Sequence, residues 1–130
     1  MKDTLPEAED IAGMAVELGK LLSSHNGGDV AVMDMRELNF WTDFFVIATV
    51  TSITHQSGLE RHVKDFSRDK GLPLRRSRRP DTADEWCLLD LGTIVVHLMT
   101  SRSRSFYELE RLWSSAPLIY DGKDHSSKSS

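Results

Sequence analysis

The run FFVIATV at Phe44–Val50 constrains the fold of this chain more than any other feature of the sequence. It is rich in β-branched and aromatic residues and lacks an alternation of apolar and polar positions, which is typical of a strand buried on both faces. Val30–Met33 is a shorter run of the same kind. Such strands need apolar cover on both sides, so the sequence predicts helices packed against a sheet.

Helical periodicity predicts two amphipathic helices, one before and one after these strands. Thr4 and Glu7 have the spacing of a capping box ahead of the first, near residues 5–24. Gly71 is placed to end the second, roughly 53–70, in the left-handed conformation. The apolar positions are Ile11, Ala15, Leu18 and Leu22 in the first helix, and Ile53, Leu59, Val63 and Phe66 in the second.

Two later runs predict a β-hairpin. Trp86–Leu89 and Ile94–Met99 have the composition of strands, and Asp90-Leu91-Gly92 joins them closely. Leu72-Pro73-Leu74 is predicted to begin an edge strand, because proline cannot donate a hydrogen bond to a ladder. These segments complete a mixed, mostly five-stranded sheet.

A two-residue turn at Leu91-Gly92 sets a definite hairpin register. Trp86 would then face His97, and Leu88 would face Val95. One side of the sheet would carry Trp86, Leu88, Asp90 and His97, and the other would carry Cys87, Leu89, Ile94 and Val96. Trp86 on this hairpin is either an exposed anchor for a partner or a residue packed against a helix, and the pattern favours neither.

Ser105 and Glu108 repeat the capping-box spacing before a final helix. Its predicted apolar side carries Phe106, Leu109, Leu112 and Trp113. Residues 121–130 are rich in serine and charge and are predicted to be a disordered tail after a domain spanning 1–120. The predicted order α-β-β-α-β-β-β-α indicates a single α/β domain with flanking helices.

Composition limits the classes of function. The chain of 130 residues is 39% hydrophobic and 28% charged, which fits one globular domain. Cys87 is its one cysteine, so no internal disulfide can form, and a reducing, cytoplasmic setting is favoured. The formal charge of −4 argues against a dominant nonspecific nucleic-acid binder. The sequence has neither a secretion signal nor a long apolar stretch, so no membrane association is expected.

Residues 75–85, RRSRRPDTADE, are predicted to form an exposed loop. The pattern favours a solvated loop in which the arginines are neutralised by Asp81, Asp84 and Glu85. The alternative is contact with the phosphates of an RNA, because arginines bind phosphates bidentately. The candidates for that contact are Arg75, Arg76, Arg78 and Arg79.

Catalytic and metal sites are not indicated. The glycines form neither a Walker loop nor a dinucleotide fingerprint. His55 and His62 lie two helical turns apart, about 10 Å along the axis, which is too far for one zinc ion. Asp34 is expected to pair with Arg36, and Thr42-Asp43 to hydrogen-bond backbone near the second strand. We therefore predict binding without a cofactor or metal.

Several blocks resemble the family of ribosomal silencing factors, RsfS or Iojap. Asp34–Leu38 and Thr42–Thr49 are similar to its D-x-R-x-L and T-D-[YF]-F-V-I stretches, and Trp86–Gly92 is similar to W-x-L-L-D-[YF]-G. Val95–Met99 and Arg104–Trp113 resemble V-V-H-[IL]-[FM] and R-x-[FY]-Y-x-L-E-x-L-W. The blocks follow the family order across about residues 8–120, which is more specific than any single block.

The resemblance implies a nucleotidyltransferase-like α/β fold without the catalytic residues. It also implies a function: binding the fourteenth large-subunit ribosomal protein, so that the small subunit is excluded and translation is repressed when nutrients are limiting. The contact residues carried over by the resemblance are Trp86, Leu88, Asp90, Leu91, Gly92, His97 and Met99.

The sequence departs from the family pattern at three places. Position 91 is Leu where an aromatic residue is usual, and Thr51–Gln56 follows the family's serine-rich turn only loosely. Residues 75–85 replace a region expected to be glycine-rich and acidic, which adds support to the alternative of an RNA contact. The rival functions are an RNA-binding module acting through these arginines and a nucleotidyltransferase enzyme. Homodimerisation through an uncovered strand edge is a further possibility.

Overall fold

A computed structural model describes residues 8–38, 42–79, 85–112 and 114–122. The helices are α1 (Ala8–Ser24), α2 (Ile53–Lys70), α3 (Ser101–Tyr107) and α4 (Leu109–Leu112), and a 3-10 turn spans Arg36–Leu38. The strands are β1 (Gly28–Asp34), β2 (Phe44–Val50), β3 (Arg76–Arg78), β4 (Trp86–Asp90), β5 (Ile94–Thr100) and β6 (Leu118–Asp121). These elements form a mixed α/β fold around one sheet.

Within the described ranges the sheet has six strands, in the order β3-β4-β5-β2-β1-β6. β2 and β5 run parallel, and the other neighbouring pairs are antiparallel. The parallel pair lies at the centre and requires a crossover, which α2, β3 and β4 supply. The carboxyl ends of both central strands, Val50 and Thr100, therefore lie side by side.

β2 contributes to apolar clusters on both faces of the sheet, which confirms the prediction from its composition. Phe44, Val46 and Ala48 lie on the first face, which α1 and α2 cover. Phe45 and Ile47 lie on the second face. The first cluster includes Leu18, Leu22, Leu59 and Val63 of these helices, and the second is closed by Met35, Leu109 and Ala116.

Helix α2 begins and ends as predicted. Ser52 Oγ accepts the N–H of His55 at 3.0 Å and caps the amino end. Gly71 has φ 71° and its N–H bonds back to Arg68 O, so a residue without Cβ ends the helix in the left-handed conformation. The first helix confirms its predicted end near residue 24, whereas Thr4 and Glu7 lie outside the described residues.

The predicted edge strand at 72–74 is wrong. The N–H of Leu72 bonds to Ser67 O, and its side chain turns back into the first cluster. The edge strand is instead β3, inside the segment predicted to be a loop. The side chains at 75–79 are exposed, as predicted, while 80–84 lie outside the described residues.

The five-strand prediction missed β6. This strand pairs antiparallel with β1, with Val32 opposite Tyr120. Leu118 and Ile119 are exposed, so the strand lacks the dense apolar pattern that reveals a buried one. β6 includes Asp121, the first residue of the predicted tail, and disorder of 123–130 stays a prediction because these residues lie outside the described ranges.

The prediction for the final helix is also wrong in its boundaries. Thr100 caps α3 by accepting the N–H of Ser103 at 3.1 Å, five residues before the predicted cap at Ser105. Glu108 has φ 50° and ends α3. The chain therefore breaks where a continuous helix was expected, leaving Phe106 exposed and Leu109 buried.

Candidate partner-binding face

The hairpin register differs from the prediction by two residues. Trp86 lies opposite Met99, Leu88 opposite His97 and Asp90 opposite Val95. The loop is longer because Asp90 Oδ1 accepts the N–H of Gly92 at 2.8 Å and the N–H of Leu91 bonds to Ile94 O at 2.9 Å. A shift of two preserves which side each residue faces, so the predicted division into two sides is confirmed.

Trp86 is half-buried and held by two neighbours. Its Nε1–H donates to His97 Nδ1 at 3.1 Å, diagonally across the hairpin. Its ring lies 4.7 Å from that of Tyr107 in α3. The interpretation that Trp86 packs against a helix is confirmed by the Tyr107 contact. Trp86 is not fully buried, and its role as an anchor for a partner stays a prediction.

His97 supports Trp86 from below the surface. It is 3% exposed, and burial lowers the pKa of its imidazole to about 3, so the ring is neutral at physiological pH. Because Nδ1 accepts from Trp86, the proton must lie on Nε2, which has no hydrogen-bond partner among the described residues. The Phe45 ring lies 4.5 Å away. A neutral imidazole thus fixes the tryptophan ring without bringing a charge into the core.

Strand β3 adds two arginines to the same side of the sheet. Arg76 lies opposite Asp90, and Arg78 lies opposite Leu88. These four residues line a cavity of about 310 Å³. We call Trp86, Leu88, Asp90, Arg76 and Arg78 the hairpin face.

Three of the predicted contact residues are buried. Leu91, His97 and Met99 are at most 3% exposed, so they can support a contact but offer almost no surface to one. Leu91 belongs to the apolar cluster on the opposite face. Gly92 forms the turn with φ 88°, and a Cβ there would lie 2.9 Å from Arg75 Nε.

The arginine cluster is divided by the sheet. Arg76 and Arg78 lie on the hairpin face, whereas Arg75 lies against the Gly92 turn. Arg79 Nη1 lies 3.1 Å from Glu60 Oε2 of α2, on the opposite side. The four arginines do not present one continuous phosphate-binding surface.

Cys87 lies on the first face and is fully buried. Burial raises the pKa of its thiol to about 12, and the neighbouring Glu60 acts in the same direction. The thiol is therefore protonated and unreactive at neutral pH.

The histidines of the α1–α2 region make local contacts with one another and with nearby backbone. The rings of His25 and His62 stack with centroids 3.7 Å apart. His55 Nδ1 accepts the N–H of Thr51, and its Nε2 lies 3.2 Å from His25 O. Among the described residues, no group of three His, Cys, Asp or Glu side chains is arranged to hold a metal ion. No helix in those residues is long and apolar enough to cross a membrane.

A family model described as "Ribosomal silencing factor during starvation" (RsfS) matches residues 7–130. The chain belongs to the RsfS family.

Its relatives include bacterial and plant proteins. "Ribosomal silencing factor RsfS" of Treponema pallidum is 37% identical over 102 residues, which cover 78% of this chain and 90% of the relative. The RsfS of Bacillus subtilis is 34% identical over 90 residues, covering 69% and 75%. "Protein Iojap, chloroplastic" of Arabidopsis thaliana is 35% identical, but the alignment covers 87% of this chain and 46% of that protein.

A solved structure supports the fold of this RsfS chain. The crystal structure of a Chromobacterium violaceum protein superimposes with a TM-score of 0.70 at 28% identity. The alignment covers 84% of this chain and 88% of that one.

The RsfS-like motifs acquire structural roles in the fold. Arg36 donates from Nε and Nη2 to the two carboxylate oxygens of Asp34, at 2.9 and 2.7 Å, and these bonds lower the pKa of Asp34. This confirms the predicted pair. Thr42 Oγ1 donates to Gly92 O at 3.0 Å, so the threonine ties the loop before β2 to the hairpin turn.

Arg104 is a structural residue whose role the sequence did not reveal. Its Nε and Nη2 donate to the carboxylate of Glu110 at 3.1 and 2.6 Å, and its Nη1 donates to Thr49 Oγ1 at 2.9 Å. It therefore fastens the break between α3 and α4 to the end of β2. The RsfS-like spacing of Arg104 and Glu110 was the available signal, but their pairing depends on the left-handed turn at Glu108.

Proposed function

We propose that this RsfS chain binds the large ribosomal subunit through its fourteenth ribosomal protein and sterically prevents the small subunit from joining. Translation is thereby repressed when nutrients are limiting. The proposed site of action is the cytoplasm. The family description and the names of the relatives support a role in silencing ribosomes.

The hairpin face is the proposed contact surface, and the state of Trp86 is the observation that carries this assignment. Tryptophan is enriched among the residues that dominate binding energy, particularly where neighbours hold it in place. Trp86 is fixed by His97 and Tyr107 before any partner arrives, so little side-chain freedom remains to be lost on binding. Leu88 extends the apolar surface beside it.

To exclude the small subunit sterically, the chain needs only to bind the large subunit tightly and in the correct place. An interface of about 800 Å² on each partner is typical of specific complexes. The hairpin face supplies an apolar centre at Trp86 and Leu88 and a charged rim at Asp90, Arg76 and Arg78, which is the usual arrangement of such surfaces.

Arg76 and Arg78 are proposed to contact ribosomal RNA beside the protein partner. Both side chains are exposed on the edge strand and lie on the same side as Leu88. Guanidinium groups in this position can bind backbone phosphates without reading base sequence. Arg79 is left out of this proposed contact because its guanidinium pairs with Glu60 on the other side of the sheet.

The proposed activity is binding rather than catalysis, on a nucleotidyltransferase-like fold without the transferase's catalytic residues. Asp34, a carboxylate near the start of β2, is engaged by Arg36 through two side-chain hydrogen bonds. Its pairing supports a structural role for this position. A release of pyrophosphate from nucleoside triphosphates in the presence of magnesium and RNA would contradict this part of the proposal.

A subunit-joining assay on sucrose gradients tests the proposal. The wild-type chain is expected to sediment with large subunits and reduce the fraction of joined ribosomes. Leu88→Glu should weaken binding by roughly thirtyfold, about 2 kcal/mol, because it places a carboxylate in the apolar centre of the contact.

Leu118→Glu is the matched control for this experiment. Leu118 is also a strand leucine that reaches the surface, with 51% of it accessible, but it lies in β6 at the opposite edge of the sheet. Binding should be retained in this variant. Unchanged binding by Leu88→Glu, or equal loss in both variants, would reject the hairpin face as the docking surface.

A general RNA-binding module is the rival function. It predicts affinity for naked RNA that falls steeply with salt, whereas docking on a ribosomal protein depends less on salt. Filter binding to ribosomal RNA and to isolated large subunits across a salt series separates the two. Homodimerisation through the edge strands β3 or β6 remains a proposal that sedimentation equilibrium can test.

A further inference from the structure

We infer that a cleft at the carboxyl ends of β2 and β5 binds the phosphate group of a small phosphorylated molecule of the size of a nucleoside monophosphate. The cleft has a volume of about 660 Å³, within the usual range for small-molecule sites. Its lining combines the apolar side chains of Val50 and Ile53 with polar residues that could bind a phosphate: Thr51, Ser52, Gln56, Thr100, Ser101 and Arg102. This site is separate from the hairpin face and does not depend on ribosome binding.

The strand connections create a crevice at the carboxyl ends of β2 and β5. After β2, the chain passes into α2, whose Leu59 and Val63 pack on the first face. After β5, it passes into α3, and Tyr107 and Leu109 pack on the second face. Adjacent parallel strands whose connections leave to opposite faces create a crevice beyond their carboxyl ends, where ligands of α/β proteins commonly bind.

The amino end of α2 supplies unsatisfied donors to this cleft. The helix is 18 residues long and has no acidic residue in its first turn. Ser52 Oγ accepts the N–H of His55, and Ser52 O accepts that of Gln56. The N–H groups of Ile53 and Thr54 have no acceptor among the described residues and are available to an anion.

Gln56 provides the second, independent indication of a ligand. It heads the stripe that α2 buries, which continues with Leu59, Val63 and Phe66, and it is 3% exposed. Its side-chain amide makes no hydrogen bond within the described part of the chain. The protein does not fully enclose this amide, so its polar end reaches the cleft that Gln56 lines. A buried amide of this kind is costly unless something in the cleft bonds to it.

The charges around the cleft define the rest of the ligand. Arg102 has an 87% exposed side chain, with Nη1 4.0 Å from Glu85 Oε2, so it can turn toward an anion with little cost. Glu85 Oε1 accepts the hydroxyl of Thr100 at 2.9 Å on the β4 side of the cleft. A carboxylate there repels a second phosphate but can accept hydrogen bonds from hydroxyl groups. A single phosphate attached to a sugar fits this arrangement, because the phosphate can bind Arg102 and the sugar hydroxyls can donate to Glu85.

Titration of the ¹⁵N-labelled full chain tests this inference by NMR. Adenosine 5′-monophosphate should produce saturable shifts in the amide signals of Ser52–Gln56 and Thr100–Arg102, and inorganic phosphate should shift the same signals with weaker affinity. Adenosine, which lacks the phosphate, should leave them unchanged. The absence of saturable shifts, or equal shifts with adenosine, would overturn the assignment.

Three variants locate the site. Gln56→Glu should weaken binding of the monophosphate by roughly tenfold, because a carboxylate replaces a neutral donor facing an anion. Arg102→Ala should weaken it severalfold, and since its side chain is exposed, this variant tests the site even if the first one fails to fold. Ser57→Ala, an exposed position of α2 outside the cleft, should bind as the wild type does. Full affinity in the Gln56 and Arg102 variants would reject the cleft.

Discussion

Strands β2 and β4 belong to the same sheet but use their side chains differently. Six of the seven positions of β2 are buried, and only Thr49 is partly open. In β4, burial alternates: Cys87 and Leu89 are buried, whereas Trp86, Leu88 and Asp90 are half-buried. β2 is therefore buried on both faces of the sheet, whereas β4 is fully buried on one face alone.

The difference arises from position in the sheet. β2 lies between β1 and β5, with apolar clusters above and below it. β4 has only the three-residue β3 beyond it, and the cover that Leu109 and Ala116 give the second face leaves Trp86 and Leu88 partly open. The centre of the sheet therefore stabilises the fold, while β4 keeps the side chains of one face partly at the surface, where the proposed contact lies.

Two truncations, one in each strand, test this contrast most strongly. Ile47→Ala in β2 should lower the free energy of unfolding by about 2–5 kcal/mol, because it leaves a cavity in a fully buried cluster. Leu88→Ala in β4 should cost about 1 kcal/mol or less, because its side chain is already partly open. Urea unfolding measures both. Equal losses would show that the two strands are equally embedded.

The pH dependence of stability tests the junction between the two regions, where His97 of β5 accepts from Trp86 of β4. The folded-state pKa of about 3 lies below the ordinary value of 6.5, so the unfolded chain binds the proton more readily. The contribution of neutral His97 to the free energy of unfolding is complete above pH 6.5. It should fall by about 1.4 kcal/mol for each pH unit below that value.

His97→Gln is the control, because glutamine can still accept from Trp86 and does not titrate. Unfolding measured between about pH 7 and 4.5 should lose less stability in this variant than in the wild type. This window avoids Asp34, whose lowered pKa affects stability only below its ordinary value of 3.8. The same slope in both proteins would contradict the assignment of the pH dependence to His97.

The smallest expected effect on stability concerns the arginines at the sheet edge. The double variant Arg76→Ala, Arg78→Ala should change the free energy of unfolding by no more than about 0.5 kcal/mol, because both side chains are exposed. It should nevertheless reduce the salt dependence of large-subunit binding, since the two proposed phosphate contacts are removed. Arg79→Ala is the comparison, and an equal reduction in that variant would contradict the division of the cluster.

The strongest sequence patterns predicted the structure well. The limits of β2 and α2 are confirmed, as are the turn at Gly71 and the division of the hairpin into two sides. Each of these depends on local periodicity or on one backbone conformation. The exposed β6 was missed because its partner β1 lies far away in sequence. The short β3 was missed because its three exposed residues, Arg76–Arg78, carry no apolar pattern.

The candidate site was predicted in part. Sequence and family resemblance indicated Trp86, Leu88 and Asp90, and the structure places them together on one side of the sheet. The hairpin register could not be predicted, because the hydrogen bond from Gly92 N–H to Asp90 Oδ1 helps form a longer turn than the spacing suggested. The boundary between α3 and α4 depends on the left-handed conformation of Glu108, which propensity disfavours.

The sequence by itself determined the mixed α/β class, the central strand, the second helix and membership of the RsfS family, because these follow from local patterns and ordered motifs. Only the tertiary structure decided that Leu91 and Met99 are buried, that the arginines separate onto different sides and that Gln56 reaches a cleft. Burial and side-chain direction depend on which distant strands become neighbours, and that arrangement is a property of the assembled sheet rather than of any segment in it.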